Sequence, residues 1–385
     1  MRIAFVSTIL TYPWGSPDRI WTDLANRCLR RGDQVMLAIS SVTADCSEVR
    51  QLEQSGAQLQ IREGHTYFLG QRHELKKRLP WIRKKTIEGH LERFDPHLVV
   101  LTLGATFDIL AESGLQKWMR VRKVPYVSLC HNSVSDNPLV EADRANAQTY
   151  FNACSLTGFV STQNRVRGEK QLGALFHNPV LFQNPLGFNI EQIPAWPSHD
   201  SPIQLGVVGR LDINHKGIDL LLNALSKLAT AFDFRLIMTG RIEDEKQLTQ
   251  LIADANLKDK VEIHPPVLSS RLPSVYAAIE LFVLSSRYEG CPSAMIEAMM
   301  CGRPVLACPV GGVSDWIEDG RNGFVVSDIS AQAIVEGLTR AFENRDCLRA
   351  MGEQARLVFD ERRQSDPVGE LLSQIDATVT SISNA

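Results

Sequence analysis

No apolar run in these 385 residues is long enough to span a bilayer, and no two cysteines stand in a C-x-x-C or other metal-ligand spacing. The first absence argues against an integral membrane protein, the second against a zinc module. A basic excess is missing too. The net charge of −3 excludes generic nucleic-acid binding, which usually shows strong positive charge. There is no short internal repeat, and Met1-Arg-Ile-Ala-Phe-Val-Ser-Thr8 turns polar too early for a signal peptide. The eight cysteines mostly have apolar neighbours and read as reduced, buried thiols, as expected of a cytoplasmic protein. What remains is an ordinary globular composition, 44% hydrophobic and 22% charged, in a chain long enough for two domains.

The hydrophobic pattern is α/β. Short apolar runs at 2–7, 34–40, 97–103, 125–131 and 156–162 read as buried parallel strands, with helical stretches at 107–120 and 139–154 between them. Three prolines without periodicity at 192–202 read as a linker. The alternation then restarts, with strands at 203–208, 234–239, 261–264, 280–284, 303–308 and 323–326 and an amphipathic helix at 217–229. The expected organisation is a first Rossmann-like domain at 1–185, a hinge at 186–202 and a second Rossmann-like domain at 203–365. A last helix within 366–385 either crosses back to the first domain or serves the core of the second. Two such domains are expected to face each other across a cleft, the default ligand site.

Residues 70–94 differ from the rest, with seven Lys/Arg between 72 and 85 near Leu69, Leu75, Leu79, Trp81 and Ile82. A helix of this kind can lie on an anionic membrane, or pack its few apolar residues on the first domain with its charges in water.

The chemistry concentrates in 280–302. An apolar strand runs into Arg287-Tyr-Glu-Gly-Cys-Pro292, followed by a helix stopped by Gly302 and Pro304. Glu289, Gly290 and Cys291 therefore lie in a loop at a strand's carboxyl end, Pro292 suits the first position of the helix that starts there, and Glu297 lies within that helix. Helix N-termini at such places hold phosphate. Carboxylates repel phosphate but accept hydrogen bonds from hydroxyls, so a phosphate flanked by two sets of hydroxyls, a nucleotide sugar, fits both. Neighbours Met295, Ile296, Ala298 and Met299 favour a buried, partnered Glu297 over a surface one. Earlier in the chain, Val207-Val-Gly-Arg-Leu-Asp-Ile-Asn-His-Lys-Gly217 places Gly209, Arg210 and Lys216 at the end of another strand. Two cations there suit a diphosphate, or stand in water as an ordinary loop.

Taken in order, Gly209-Arg210…Lys216-Gly217, Glu289-Gly290…Glu297-Ala298…Gly302-Arg-Pro-Val305 and Gly311-Gly312…Gly320…Gly323 resemble the retaining glycosyltransferases of family 4, glycosyl transferases group 1, with the GT-B fold. The resemblance covers nearly all of 203–327. Across 1–185 it rests on strand order, Gly15 and His131, and Asn184-Pro-Leu-Gly187 resembles the family's entry to the hinge.

The resemblance implies a nucleoside-diphosphate sugar, with a UDP-sugar the expected donor, and a saccharide or lipid-linked acceptor. It implies that Glu297 holds the ribose, Glu289 sits by the sugar and Arg210 with Lys216 neutralises the diphosphate. No metal or other cofactor is then required, in keeping with the lack of D-x-D. The donor base is expected near Pro266-Val267. His131 matches a histidine near the reaction centre, although a histidine ending a strand is often only a core hydrogen-bonding residue. The first loop departs from the family. Trp14-Gly15-Ser-Pro-Asp18 keeps one of two adjacent glycines and adds a proline without an N–H. Two other readings stay open: a further enzyme of this fold, such as a nucleotide-sugar epimerase or a phosphorylase, and a non-catalytic nucleotide-sugar-binding subunit.

Overall fold

A computed structural model describes residues 1–9, 14–62, 87–133, 137–198 and 202–383. The chain divides into two compact units, residues 1–160 with 164–185 and 366–385, and residues 161–163 with 186–365. Of the basic stretch 70–94, residues 70–86 lie outside the described residues, and Ile87–Phe94 is a helix. Among the described residues, no helix is long and apolar enough to cross a membrane.

The first unit is one parallel sheet of seven strands: β1 (Arg2–Ser7), β2 (Gln34–Ser40), β3 (Gln58–Arg62), β4 (Leu98–Leu103), β5 (Tyr126–Cys130), β6 (Leu156–Phe159) and β7 (Pro179–Leu181). Their order is β3-β2-β1-β4-β5-β6-β7. β1, β4 and β5 are buried almost throughout, as expected of strands covered by helices on both faces. The edge strands β3 (Gln-Leu-Gln-Ile-Arg) and β7 (Pro-Val-Leu) are half exposed; β3 alternates polar and apolar residues and β7 is only three residues long, so neither presents the long apolar run of a buried strand. The helix Pro367–Ser383 belongs to this unit. Val368, Leu371, Ile375 and Val379 are buried at helical spacing, and Leu372 and Ile375 line a small gap with Ile3, Phe5, Leu24, Cys28, Leu98 and Val100. At its rim Arg27 pairs with Asp366 through two bonds of 2.8 and 2.7 Å, and Arg31 with Asp376 at 2.6 Å.

The second unit is a six-stranded parallel sheet: β8 (Ile203–Val208), β9 (Phe234–Thr239), β10 (Val261–His264), β11 (Leu281–Leu284), β12 (Val305–Ala307) and β13 (Gly323–Val325), in the order β10-β9-β8-β11-β12-β13. Its core joins Leu221, Leu222 and Leu225 of the helix Ile218–Leu228 to Phe234, Leu236 and Phe282 of the sheet. The proline-rich segment 192–198 groups with this unit and is pinned to it. The fully buried Arg303 donates to the Ala195 carbonyl at 2.6 Å and to the Tyr276 carbonyl at 2.8 Å, and lies over the Trp196 ring.

Candidate functional site

β8 lies between β9 and β11, and the chain leaving β8 turns to β9 on one side while the chain leaving β11 turns to β12 on the other, so the two connections diverge at the carboxyl ends of these strands. That divergence is the switch point where open α/β sheets hold their ligands. β8 ends at Gly209, whose N–H donates to the Thr239 carbonyl at 2.9 Å. The chain then runs through residues 210–217 and enters the helix Ile218–Leu228. β11 continues through buried Ser285 and Ser286 to Glu289, Gly290 and Cys291, and Pro292 caps the helix Ser293–Met300. The sequence pattern puts Pro292 inside that helix. The structure puts it one position earlier, as the cap.

Arg210, Lys216 and Glu289, far apart in sequence, converge here. The Lys216 ammonium donates to Glu289 Oε1 at 2.6 Å, and the Ser286 hydroxyl donates to the same oxygen at 2.7 Å. Burial favours the neutral acid, but Lys216, His215 and the two hydrogen bonds outweigh it and hold the Glu289 carboxyl below its ordinary pKa. The Arg210 guanidinium bonds Asp212 from Nη1 at 3.3 Å and reaches His215 Nδ1 from Nη2 at 2.9 Å. Backbone and side chains tie the two loops together. Ser285 Oγ donates to the Lys216 carbonyl at 2.8 Å, the Arg287 N–H donates to the His215 carbonyl at 2.9 Å, and Arg287 grips Asp219 through two bonds of 2.8 and 2.6 Å.

Two glycines permit this closeness. Gly217 has φ +61°, and a Cβ there would overlap the Ser285 carbonyl oxygen. Gly311 has φ +52°, and its Cβ would overlap the Glu289 and Gly290 carbonyls, while the Gly312 N–H donates to the Gly290 carbonyl at 2.7 Å. The Gly311-Gly312 turn thus supports the Glu289 loop from beneath.

Glu297 sits buried in the second turn of its helix and accepts a hydrogen bond from the Tyr276 hydroxyl at 2.8 Å. Tyr276, one of the largest fully buried side chains, has no signal in the sequence beyond its aromatic character. Its role appears only when the helix Leu272–Ala277 packs beside Ser293–Met300. Burial pushes the Cys291 thiol up to about 12, so it is not a nucleophile at neutral pH. Val267 lies half-exposed in the loop after β10.

Gly15 and His131 belong to the first unit. Gly15 caps the helix Ser16–Arg30, and its N–H is bonded to Asp18 Oδ2 at 2.8 Å. Asp18 also accepts from Trp21 Nε1 at 3.1 Å, and burial raises its pKa to about 6. The Gly15 amide is therefore committed to the helix cap. His131 follows β5, is 6% exposed, and packs edge-on against Phe182 with ring centroids 5.4 Å apart. Among the described residues neither ring nitrogen has a hydrogen-bond partner, and burial lowers its pKa to about 3, so the ring is neutral.

Comparison with known proteins bears on both units. Residues 189–358 match the model of glycosyl transferases group 1. Over 177 residues the chain is 31% identical to an alpha-D-kanosaminyltransferase of Streptomyces kanamyceticus, an alignment covering 46% of this chain and 45% of the relative. It is 34% identical over 171 residues to a D-inositol 3-phosphate glycosyltransferase of Xylanimonas cellulosilytica, covering 42% and 40%. The chain thus spans less than half the length of the curated relatives it matches. Anabaena HepE, solved with UDP-glucose, superposes over 99% of this chain and 100% of its own with a TM-score of 0.72 at 20% identity, a likeness of fold. The second unit is a glycosyl transferases group 1 domain, and the chain has two parallel-sheet α/β units resembling those of GT-B glycosyltransferases.

Proposed function

We propose that the protein is a retaining, metal-independent glycosyltransferase that moves a sugar from a nucleoside-diphosphate sugar, most simply a UDP-sugar, to a saccharide or lipid-linked acceptor. The carrying observation is the convergence of Arg210, Lys216 and the buried Glu289 at the β8/β11 switch point. As the bond from the anomeric carbon to the phosphate oxygen breaks, negative charge grows on the β-phosphate. Fixed cations and the amides at a helix N-terminus stabilise that charge more in the transition state than before it. Arg210 and Lys216 supply in this reading what a divalent cation supplies elsewhere. Glu289 takes sugar hydroxyls, and Glu297, oriented by Tyr276, takes the ribose hydroxyls. His131 serves the reaction centre as a neutral donor. The base rests near Val267. The neighbour solved with UDP-glucose supports a uridine donor.

The reading places the enzyme in the cytoplasm, with residues 70–94 as a peripheral contact to an anionic membrane. Co-sedimentation with anionic vesicles at low salt tests that contact, and its absence removes it. A non-catalytic binding subunit is the second reading, favoured by the commitment of the Gly15 amide to Asp18. One experiment separates them: nucleotide release from UDP-, GDP- and ADP-sugars in EDTA, with and without acceptor extracts. Release from one donor, reduced about 10–100-fold in Glu297→Gln and Lys216→Ala, is expected, since each variant loses a hydrogen bond to a charged group. Tight binding with no release under any acceptor supports the subunit, and release that returns only with added Mg²⁺ or Mn²⁺ overturns metal independence.

A further inference from the structure

The loop that carries Arg210 and Lys216 also carries a histidine to which the reaction above gives no role. The His215 ring lies flat on the Tyr288 ring, with centroids 4.2 Å apart and planes 7° from parallel. Its backbone is held at both ends: its N–H donates to Asp212 Oδ1 at 2.9 Å and its carbonyl accepts from the Arg287 N–H. Nε2 is 2.9 Å from the Tyr288 carbonyl oxygen, and Nδ1 is 2.9 Å from Arg210 Nη2.

These two contacts assign the tautomer. A carbonyl oxygen can only accept, so Nε2 carries the proton. A guanidinium can only donate, so Nδ1 is bare. The ring is neutral, because a proton on Nδ1 would aim an N–H at a cation. The groups facing it are Arg210, Asp212 and Lys216 from its own loop, and Tyr288 with Glu289, whose Oε1 is 4.0 Å from Nε2, from the loop after β11. Burial, then Lys216 and Arg210, hold its pKa below the ordinary 6.5 against the opposing pull of Glu289 and Asp212. A neutral acceptor on Nη2 has a further consequence. It orients the guanidinium fork without adding a further negative charge to those of Asp212 and Glu243, which lie 3.3 and 3.9 Å from it.

We infer that His215 is a positioning residue: by accepting from Arg210 at Nδ1, it aims the guanidinium at the anionic part of the ligand without adding a further negative charge beside it. The inference rests on the nucleotide-sugar reading. Protonation below the ordinary histidine range removes the acceptor, so the orientation is present at neutral pH and lost as pH falls through the folded-state value.

Calorimetric titration with UDP tests this in the full chain, from pH 5 to 8, in wild type, His215→Leu, His215→Asn, Arg210→Ala and the His215→Leu/Arg210→Ala double variant. Loss of the acceptor in His215→Leu is expected to weaken UDP binding about tenfold, the scale of one hydrogen bond to a charged group. Asn can place an oxygen where Nδ1 stood and does not titrate, so His215→Asn is expected to recover most of that loss. The double variant is expected to bind no more weakly than Arg210→Ala alone, because His215 acts through Arg210. UDP's own phosphate titrates near pH 6, so the readout is the divergence of wild type from His215→Asn on the acid side, not either curve alone. Should His215→Leu fail to fold, nitrogen NMR of wild type and Arg210→Ala decides. A bare Nδ1 whose resonance moves when Arg210 is removed supports the inference, and a protonated Nδ1 overturns it. Additive losses in the double variant, or His215→Asn binding no better than His215→Leu, also overturn it. If Arg210→Ala weakens binding and His215→Leu does not, the inference falls and the nucleotide reading stands. If wild type binds neither UDP nor GDP nor ADP, both fall.

Discussion

Lys216 and Glu289 pair at 2.6 Å, and that pairing explains how a carboxylate tolerates burial at the end of β11. His131 is the opposite case, a buried imidazole whose two nitrogens find no partner among the described residues. An unsatisfied buried polar group costs about 1–3 kcal/mol, a cost that a structural residue has no reason to carry. His131→Leu is therefore expected to leave the fold intact and raise stability by about 1 kcal/mol at pH 7, read by urea unfolding, while transfer is lost. The pH dependence has a definite sign. The folded-state pKa, about 3, lies below the ordinary 6.5, so the unfolded chain takes the proton first and stability falls as pH drops from 6.5 towards 3. The variant escapes that part of the fall, so its advantage grows at pH 5. A variant less stable than wild type at both pH values would mean that His131 is held by packing alone.

Among the elements, the loops after β8 and β11 matter more than the helices they lead into. Their approach depends on backbone contacts that leave no space for a side chain at Gly217 or Gly311. Gly311→Ala is expected to cost at least about 1–2 kcal/mol from the left-handed backbone alone, with more from displacement of the Glu289 and Gly290 carbonyls. Its effect on nucleotide affinity is expected to exceed that of Gly320→Ala, which has a positive φ but open space around its Cβ. Equal effects on UDP titration would show that Gly311 is only a turn residue. The same logic covers Tyr276, which reaches Glu297 from a different helix and so links that carboxylate to the strand-side core.

For the molecule as a whole, the helix Pro367–Ser383 decides how the first unit is completed. Its ion pairs Arg27–Asp366 and Arg31–Asp376 are about 30–50% exposed, and pairs of that kind are each worth at most about 1 kcal/mol. Its four buried aliphatic side chains are worth about 1.5–3 kcal/mol each, so burial holds it there. Deleting residues 366–385 is expected to destabilise the first unit and uncover Cys28, whose thiol is pushed up to about 11 by burial. Thiol titration of the native protein should then count one additional reactive cysteine. An unchanged count with an unchanged melting temperature would show that the helix is dispensable to that unit.

Buried strands announce themselves because a parallel sheet covered on both faces needs continuous apolar runs. The bounds of β1, β2, β8, β9 and β10 are those the pattern of the sequence implies. The candidate loops also stand out in the sequence, since Gly209-Arg210, Lys216-Gly217, Glu289-Gly290 and Gly311-Gly312 set glycines beside charged residues or one another at strand ends. Edge strands β3 and β7 do not, because β3 alternates polar with apolar residues and β7 is only three residues long. Nor could residue order disclose that Lys216 lies on Glu289, that His215 lies between Arg210 and Tyr288, or that Tyr276 holds Glu297. Those pairings join residues 21 to 73 positions apart, or set a ring's orientation, and packing alone selects them. The sequence by itself determined which chemical groups stand at the strand ends. Tertiary structure decided which of them touch, because hydrogen bonds act over about 3 Å and only the folded sheet brings separate strand ends that close.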